Sequence, residues 1–277
     1  NPFMGLVLGI VFTGIIQSSN ATTVLVVSFV NSGLMNLSQS VGVIMGANIG
    51  TTVTGQLVSF KLDAIAPLFI IAGVVMFMFI KKPTIKRIGE VLLGFGVLFF
   101  GMSTLSSSVN MLNEVDAVKS CFSSLTNPFL AVLIGFVATS VLQSASASVG
   151  ILIVLASSGL MDLNICYYVI MGCNIGACGS AVLASLNGTK DAKRAAMIHV
   201  SFNVIGLVIV MLLLAIWGDP IMGAVHSLTA MTGDAGIRAG RDVANINTII
   251  KIFQVIVLFP FSKFLIRLTY LLIPGED

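Results

Sequence analysis

Gln17-Ser18-Ser19-Asn20-Ala21-Thr22-Thr23 interrupts an otherwise apolar segment, with Phe3–Ile16 before it and Val24–Val30 after it. Neither apolar arm can cross a bilayer alone, because a spanning helix needs about 20 apolar residues. Two short arms joined by hydroxyl and amide residues predict a re-entrant hairpin whose polar tip reaches membrane depth. Non-helical backbone survives there only if it is buried in protein or lines a wet cavity.

The same pattern returns as Gln143-Ser144-Ala145-Ser146-Ala147-Ser148, and its flanks return with it. Asn1-Pro2-Phe3 matches Asn127-Pro128-Phe129, and Ser32-Gly33-Leu34-Met35 matches Ser158-Gly159-Leu160-Met161. Val43-Ile44-Met45-Gly46-x-Asn48-Ile49-Gly50 matches Val169-Ile170-Met171-Gly172-x-Asn174-Ile175-Gly176. The offset is 126 without a gap from Asn1 to Phe60, and 23 of those 60 positions are identical. Internal similarity of this extent is the mark of a duplicated unit.

Composition fixes the class of molecule. Of 277 residues, 57% are hydrophobic and 9% charged, and mean hydropathy is +1.06. Soluble domains carry about 25% charge, so the chain reads as an all-α polytopic membrane protein. A net charge of +3 gives no reason to invoke nucleic acid. The four cysteines show no CxxC or Cys/His spacing that would suggest zinc, and Cys173 and Cys178 stand where the first copy has Ala47 and Thr52.

Taken in order, the first repeat covers residues 1–126. It comprises the hairpin at about 2–30, a loop Asn31–Gln39, a helix at 41–60 interrupted around Gly46–Thr52, and spans at 64–80 and 88–109. A polar loop, Asn110–Thr126, leads to the second repeat, 127–277. This has a hairpin at 128–156, an interrupted helix at 165–186, spans at 195–217 and 243–268, and a long loop Gly218–Asp242. A re-entrant hairpin returns to its own side, so three crossings separate the starts of the copies. An odd number inserts the second copy upside down, as in many secondary transporters.

Charge sets the orientation. Lys81, Lys82, Lys86, Arg87, Lys190, Lys193, Arg194, Lys263 and Arg267 fall on one side, and only Lys61, Lys119, Arg238 and Arg241 on the other. The positive-inside rule makes the first group, and the C-terminus, cytoplasmic. Hairpin one then enters from the cytoplasm and hairpin two from outside. The second copy is preceded by a span containing Leu98–Met102, whereas the first opens at Asn1, so an upstream helix is expected in the native chain.

Two polar tips meeting near the midplane would combine both ion preferences. Helix starts present unpaired N–H groups and a positive dipole end to an anion. Helix ends and Ser, Thr, Asn and Gln oxygens suit Na+. Carboxylates are missing from the centres of the expected spans, and a neutral, donor-rich site favours an oxyanion over an organic cation. Gly42-x3-Gly46-x3-Gly50 predicts a close helix contact. Lys251, eight residues into the last span, is expected to snorkel to the outer interface. Arg238 and Arg241 are expected in a solvated loop, and His199 and His226 show no obvious partner.

The paired QS tracts, the NPF starts and the GxNIG helices together resemble the type II sodium/phosphate cotransporter family, in a bacterial member. The resemblance covers nearly the whole chain. It implies a symporter in the bacterial inner membrane that takes up inorganic phosphate with Na+ by alternating access, and a homodimer. It carries phosphate contacts onto Gln17, Ser18, Ser19 and Asn20, and onto Gln143, Ser144, Ala145 and Ser146. It carries Na+ contacts onto Gln17, Ser18, Asn48, Thr51, Thr52, Gln143, Ser144, Ser148 and Asn174; no other cofactor is implied. The chain departs from the family pattern at Ala145, which lacks a hydroxyl, at Ala177 and Cys178, which replace Thr51 and Thr52, and at Asn247-x3-Lys251, which stands for a second His199-x3-Asn203 pattern and adds a cation. Proton coupling, another tetrahedral oxyanion and an anion channel are the alternatives. A membrane enzyme would need a nucleophile–base pair or metal cluster, and none is legible.

Overall fold

The computed structural model describes residues 2–60, 62–229 and 235–275, and among them it contains helices and no strand. Asn1, Lys61 and the centre of the expected long loop, 230–234, lie outside them. Helices α1 (Pro2–Ile16) and α2 (Ser19–Asn31) precede α3 (Leu37–Gly50) and α4 (Thr52–Val58). After a 3-10 turn at Asp63–Ile65 come α5 (Ala66–Phe79), α6 (Pro83–Leu112) and the short α7 (Asp116–Ser123). The second half repeats the opening: α8 (Pro128–Leu142), α9 (Ala145–Ser157), α10 (Leu163–Gly176) and α11 (Gly179–Ser185). It closes with α12 (Lys190–Thr229), α13 (Ala235–Leu258) and α14 (Ser262–Leu272). By length and apolarity four helical segments can cross a membrane, or six if two sharply bent pairs each count as one, so this is a multi-pass membrane protein.

Glycine packing shows the hairpins directly. A Cβ on Gly42 would lie 2.0 Å from the Pro2 carbonyl oxygen, one on Gly46 2.1 Å from that of Leu6, and one on Gly50 2.7 Å from that of Ile10. Numbers rise together on both helices, so α1 and α3 run parallel in contact. The intervening α2 must therefore run back. In the second half Gly172 meets the Val132 oxygen at 2.0 Å and Gly176 the Phe136 oxygen at 2.6 Å, which makes α8 and α10 parallel and α9 the returning arm. Both returning arms end alike: Gly33 and Gly159 take φ of +71° and +72°, a backbone that a side chain strains. Their N–H groups close onto Val30 and Ala156.

The returning arms are exchanged between halves. Helix α2 packs on α3 but also on α11 and α12, and α9 packs on α10 and α13 but also on α4 and α6. The outgoing arm α1 instead leaves Phe3, Leu8, Val11 and Ile15 exposed, a lipid-facing surface. Helices α5 and α6 pack mainly on each other.

Several sequence expectations need correction. The polar stretch is non-helical only at Gln17 and Ser18, because Ser18 caps α2 by accepting from the Ala21 N–H. The interruption of the next helix shrinks to Thr51, which keeps right-handed angles (φ −59°, ψ −26°), and Leu37–Val58 continues as one 22-residue span. A capping box between Asn36 and Gln39 starts α3 inside the expected loop. The expected polar loop 110–126 holds the end of α6 and all of α7. Much of Gly218–Asp242 is helical: α12 breaks its angles at Trp217 (φ −128°) and restarts through Pro220, which is tolerated in a first turn. The last span stops at Leu258, before Pro260, and the chain bends by 84° into α14.

Adding a methyl where helix backbones touch should be costly. Gly46→Ala and Gly172→Ala are expected to lose about 1–3 kcal/mol through overpacking, a fall of several degrees in the Tm of the purified protein. Gly94→Ala, with nothing within 4 Å of the new Cβ, should be neutral or gain up to about 1 kcal/mol from helix propensity. Equal effects at all three positions would contradict the packing account.

Candidate functional site

Each hairpin turns on a glutamine in the left-handed region, Gln17 at φ 59° and Gln143 at φ 55°, the only non-glycine residues with positive φ among those described. That conformation costs an L-residue about 1–2 kcal/mol, and the glutamine side chains anchor it. Gln17 Nε2 donates to the Gly14 oxygen and Gln143 Nε2 to the Ser140 oxygen, folding each amide back over the helix end. The amide oxygens accept from hydroxyls of the following helices, Gln17 Oε1 from Thr54 and Gln143 Oε1 from Ser180 at 3.0 Å. Ser18 and Ser144 cap the returning arms through the Ala21 and Ala147 N–H groups, both at 3.2 Å. Beneath each turn the arms are pinned by buried hydroxyl pairs, Thr13–Thr22 and Thr139–Ser148, both at 2.8 Å.

The two tips meet. Asn20 Nδ2 donates to the Gln143 carbonyl oxygen at 2.7 Å, satisfying a group exposed by the second turn with a side chain of the first. The opening N–H groups of α2 and α9, on Ser19 and Asn20 and on Ala145 and Ser146, have no intrahelical acceptor. The openings of α2 and α9 are thus joined by one hydrogen bond. Ser18, Ser19, Asn20, Ser144 and Ser146 are half-buried there, Ala145 is buried and contributes backbone alone, and Gln143 is exposed. A cleft of about 430 Å³ between the first tip and α6, lined by Gln17, Thr54, Gly94, Phe95 and Leu98 among others, reaches this region.

The other candidates fall elsewhere. Thr51 and Thr52 turn their hydroxyls onto the Ala47 and Ile49 oxygens of their own helix, both at 2.8 Å. The Ser148 hydroxyl is held by Thr139 and by the Ser144 carbonyl, a brace within the hairpin. Asn48 and Asn174, equivalent in sequence, differ in surroundings. Asn48 Oδ1 accepts from Lys251 Nζ at 3.0 Å, whereas both amide atoms of Asn174 are buried without a partner.

Lys251 corrects the expectation of a snorkelling side chain: it is 3% exposed and points into the core. It belongs to a polar stripe on α13 of which the sequence reading marks only Asn247 and Lys251. Asp242, Asn247, Lys251 and Gln254 are all buried, and Asn245 and Thr248 accept from Gln56 Nε2 at 3.1 and 3.0 Å. Spacing at three and four residues was the signal available. Nearby, Asn203 Nδ2 donates to the His199 oxygen at 3.0 Å and reaches the Cys178 sulfur at 3.4 Å. His226, expected without a partner, lies 2.6 Å from Asp242 through Nδ1. Arg241 is helical, not in a loop, and its guanidinium stacks 4.3 Å from the Phe60 ring centroid.

Comparison with known proteins identifies the family. The profile of the Na+/Pi-cotransporter family matches residues 1–107 and again 101–232. The chain is 30% identical to the "Uncharacterized protein YqeW" of Bacillus subtilis over all of its length and 86% of that protein. It is 28% identical over 97% of its length to the "Putative inorganic phosphate export protein YjbB" of Escherichia coli, of which it spans about half (48%). A 59-residue stretch, 21% of the chain and 9% of the relative, is 51% identical to the "Sodium-dependent phosphate transport protein 2A" of Ovis aries. No solved structure matches. The chain, with its two glutamine-turned hairpins, belongs to the Na+/Pi-cotransporter family.

Proposed function

We propose that the protein carries inorganic phosphate across the membrane together with Na+ by alternating access, binding both between the two hairpin tips. The observation that carries this reading is the Asn20–Gln143 contact, which joins two equivalent helix starts at one locus. Unpaired N–H groups of Ser19, Asn20, Ala145 and Ser146, with the Ser19 and Ser146 hydroxyls, suit the phosphate oxygens. Oxygens of Gln17, Asn20, Gln143 and Ser144 suit Na+. Ion binding would order the tips, and only the doubly loaded site would change its facing, because an uncompensated phosphate charge is costly in a low dielectric.

The two halves inserted with opposite orientation, a homodimer, and placement in a bacterial inner membrane with a cytoplasmic C-terminus belong to the same proposal. In support of a common basic side, the Arg194 guanidinium donates to the oxygens of Ile273, at 3.1 and 2.9 Å, and of Gly275, bringing the C-terminal end to the Lys190–Arg194 cluster. Such a carrier runs with the net gradient. An inward Na+ gradient drives import, and the printed name of YjbB, an export protein, fits the reverse direction at the same site.

In proteoliposomes, labelled phosphate uptake is expected to need an inward Na+ gradient and to fall with unlabelled phosphate but not with sulfate. Equal uptake with a K+ gradient would overturn Na+ coupling and favour proton coupling or a channel. Asn20→Ala, which removes the hydrogen bond between the tips, should reduce uptake about tenfold, the scale of one lost hydrogen bond of about 1.4 kcal/mol. Gln17→Val and Gln143→Val, β-branched at positive φ, should abolish uptake and lower Tm more than Gln17→Gly and Gln143→Gly, which keep the turn. Wild-type uptake in both valine variants would overturn the role of the tips.

A further inference from the structure

Lys251, expected at the outer interface, instead brings its ammonium into the core. It is 3% exposed and makes a 3.0 Å hydrogen bond to Asn48 Oδ1. Among the described residues its ammonium forms no ion pair, so no fixed carboxylate offsets it. Uncompensated buried charges are expensive and persist where something pairs with them.

Helix α13 packs on α10 and α12, and these three helices carry buried polar atoms without a partner. The unpartnered buried atoms include both amide atoms of Asn174, His199 Nδ1, Asn203 Oδ1 and Asn247 Oδ1. Asn247 stands one helical turn before Lys251 on α13. The Cys178 sulfur lies 3.5 Å from the Asn174 backbone carbonyl oxygen and 3.4 Å from Asn203 Nδ2. Lys251, on α13 of the second half, therefore reaches across to Asn48 of the first, and α13 also packs on α10, which carries Asn174.

An amide oxygen that would serve as a Na+ ligand is here taken by an ammonium. Two cations sharing one carbonyl-type oxygen would repel, so Asn48 is not available to a free Na+ while Lys251 holds it. Resting on the phosphate reading above, we infer that Lys251 is a tethered cation of the transport core. It takes the place of one Na+ at Asn48, and its charge offsets part of the charge of the transported anion. The sequence repeat supplies the contrast: the same asparagine in the second copy, Asn174, has no such cation bonded to it.

The test is phosphate binding by the purified protein, measured with labelled inorganic phosphate across a series of Na+ concentrations. Lys251→Gln keeps a donor for Asn48 and removes the charge; Asn48→Asp keeps the shape and cancels the charge with a carboxylate; Lys251→Arg keeps the charge. The first two should weaken phosphate binding by about tenfold or more at fixed Na+. Lys251→Gln should also steepen the Na+ dependence, with the Hill slope rising by about one as a free ion takes the vacated place. Lys251→Arg should stay within about threefold of wild type. If Lys251→Gln does not purify as a folded protein, the loss in Asn48→Asp decides. Wild-type affinity and an unchanged Na+ slope in the folded charge-cancelling variants would overturn the inference while leaving the phosphate reading intact. Absence of Na+-dependent phosphate binding in the wild type would overturn the phosphate reading and this inference with it.

Discussion

A helix that ends inside a bilayer leaves carbonyl and N–H groups that lipid cannot satisfy, and an unmet group costs several kcal/mol. In the proposed reading two pairs of helix ends lie there, with the chain turned through Gln17 and Gln143. The left-handed angle at each glutamine is unfavourable alone. It is held because each side chain donates to its own helix end and accepts from a hydroxyl on a following helix, Thr54 or Ser180. The serine caps, the buried hydroxyl pairs below and the Asn20 bridge all follow from that turn. The same turns leave the first N–H groups of α2 and α9 without intrahelical acceptors, which is the basis of the proposed anion site.

Close backbone packing makes the turns possible. Helices α1 and α3, and α8 and α10, approach until only glycine fits at Gly46 and Gly172. The outgoing arms are thereby fixed to helices of their own repeat, while the returning arms α2 and α9 pack against the other repeat. Each tip is thus the junction between two bodies. A relative movement of the repeats would have to pass through Gln17, Gln143 and the Asn20 contact, where the ions would sit.

Much of this was legible in the sequence. The 126-residue offset located both hairpins, and the short arms around Gln17 showed that neither could span alone. Gly42, Gly46 and Gly50 announced the close helix contact. The extent of the interruptions was not legible, because Ser, Asn and Thr continue a helix once Ser18 or Ser144 caps it. Gly218–Asp242 read as a loop, yet α12 continues to Thr229 and α13 begins at Ala235, with Asp242 and Val243 buried. Lys251 was misplaced because its distance from the span end allowed snorkelling, and only the position of Asn48 across the repeat boundary shows that it turns inward. Asn20, the residue that joins the tips, was visible as a polar residue, but its partner, the Gln143 carbonyl, is a backbone group that no side-chain pattern announces.

The central claim is that both tips contact the transported anion at one shared locus. Single cysteines at Ser19 and at Ser146, in a background with Cys121, Cys166, Cys173 and Cys178 replaced, test it most directly. The rate of thiol modification would be measured with Na+ alone, phosphate alone, both together, and sulfate with Na+. The account predicts that phosphate with Na+ slows modification at both positions together, and that sulfate with Na+ does not. Protection of neither tip, or of one tip with the other indifferent, would contradict it.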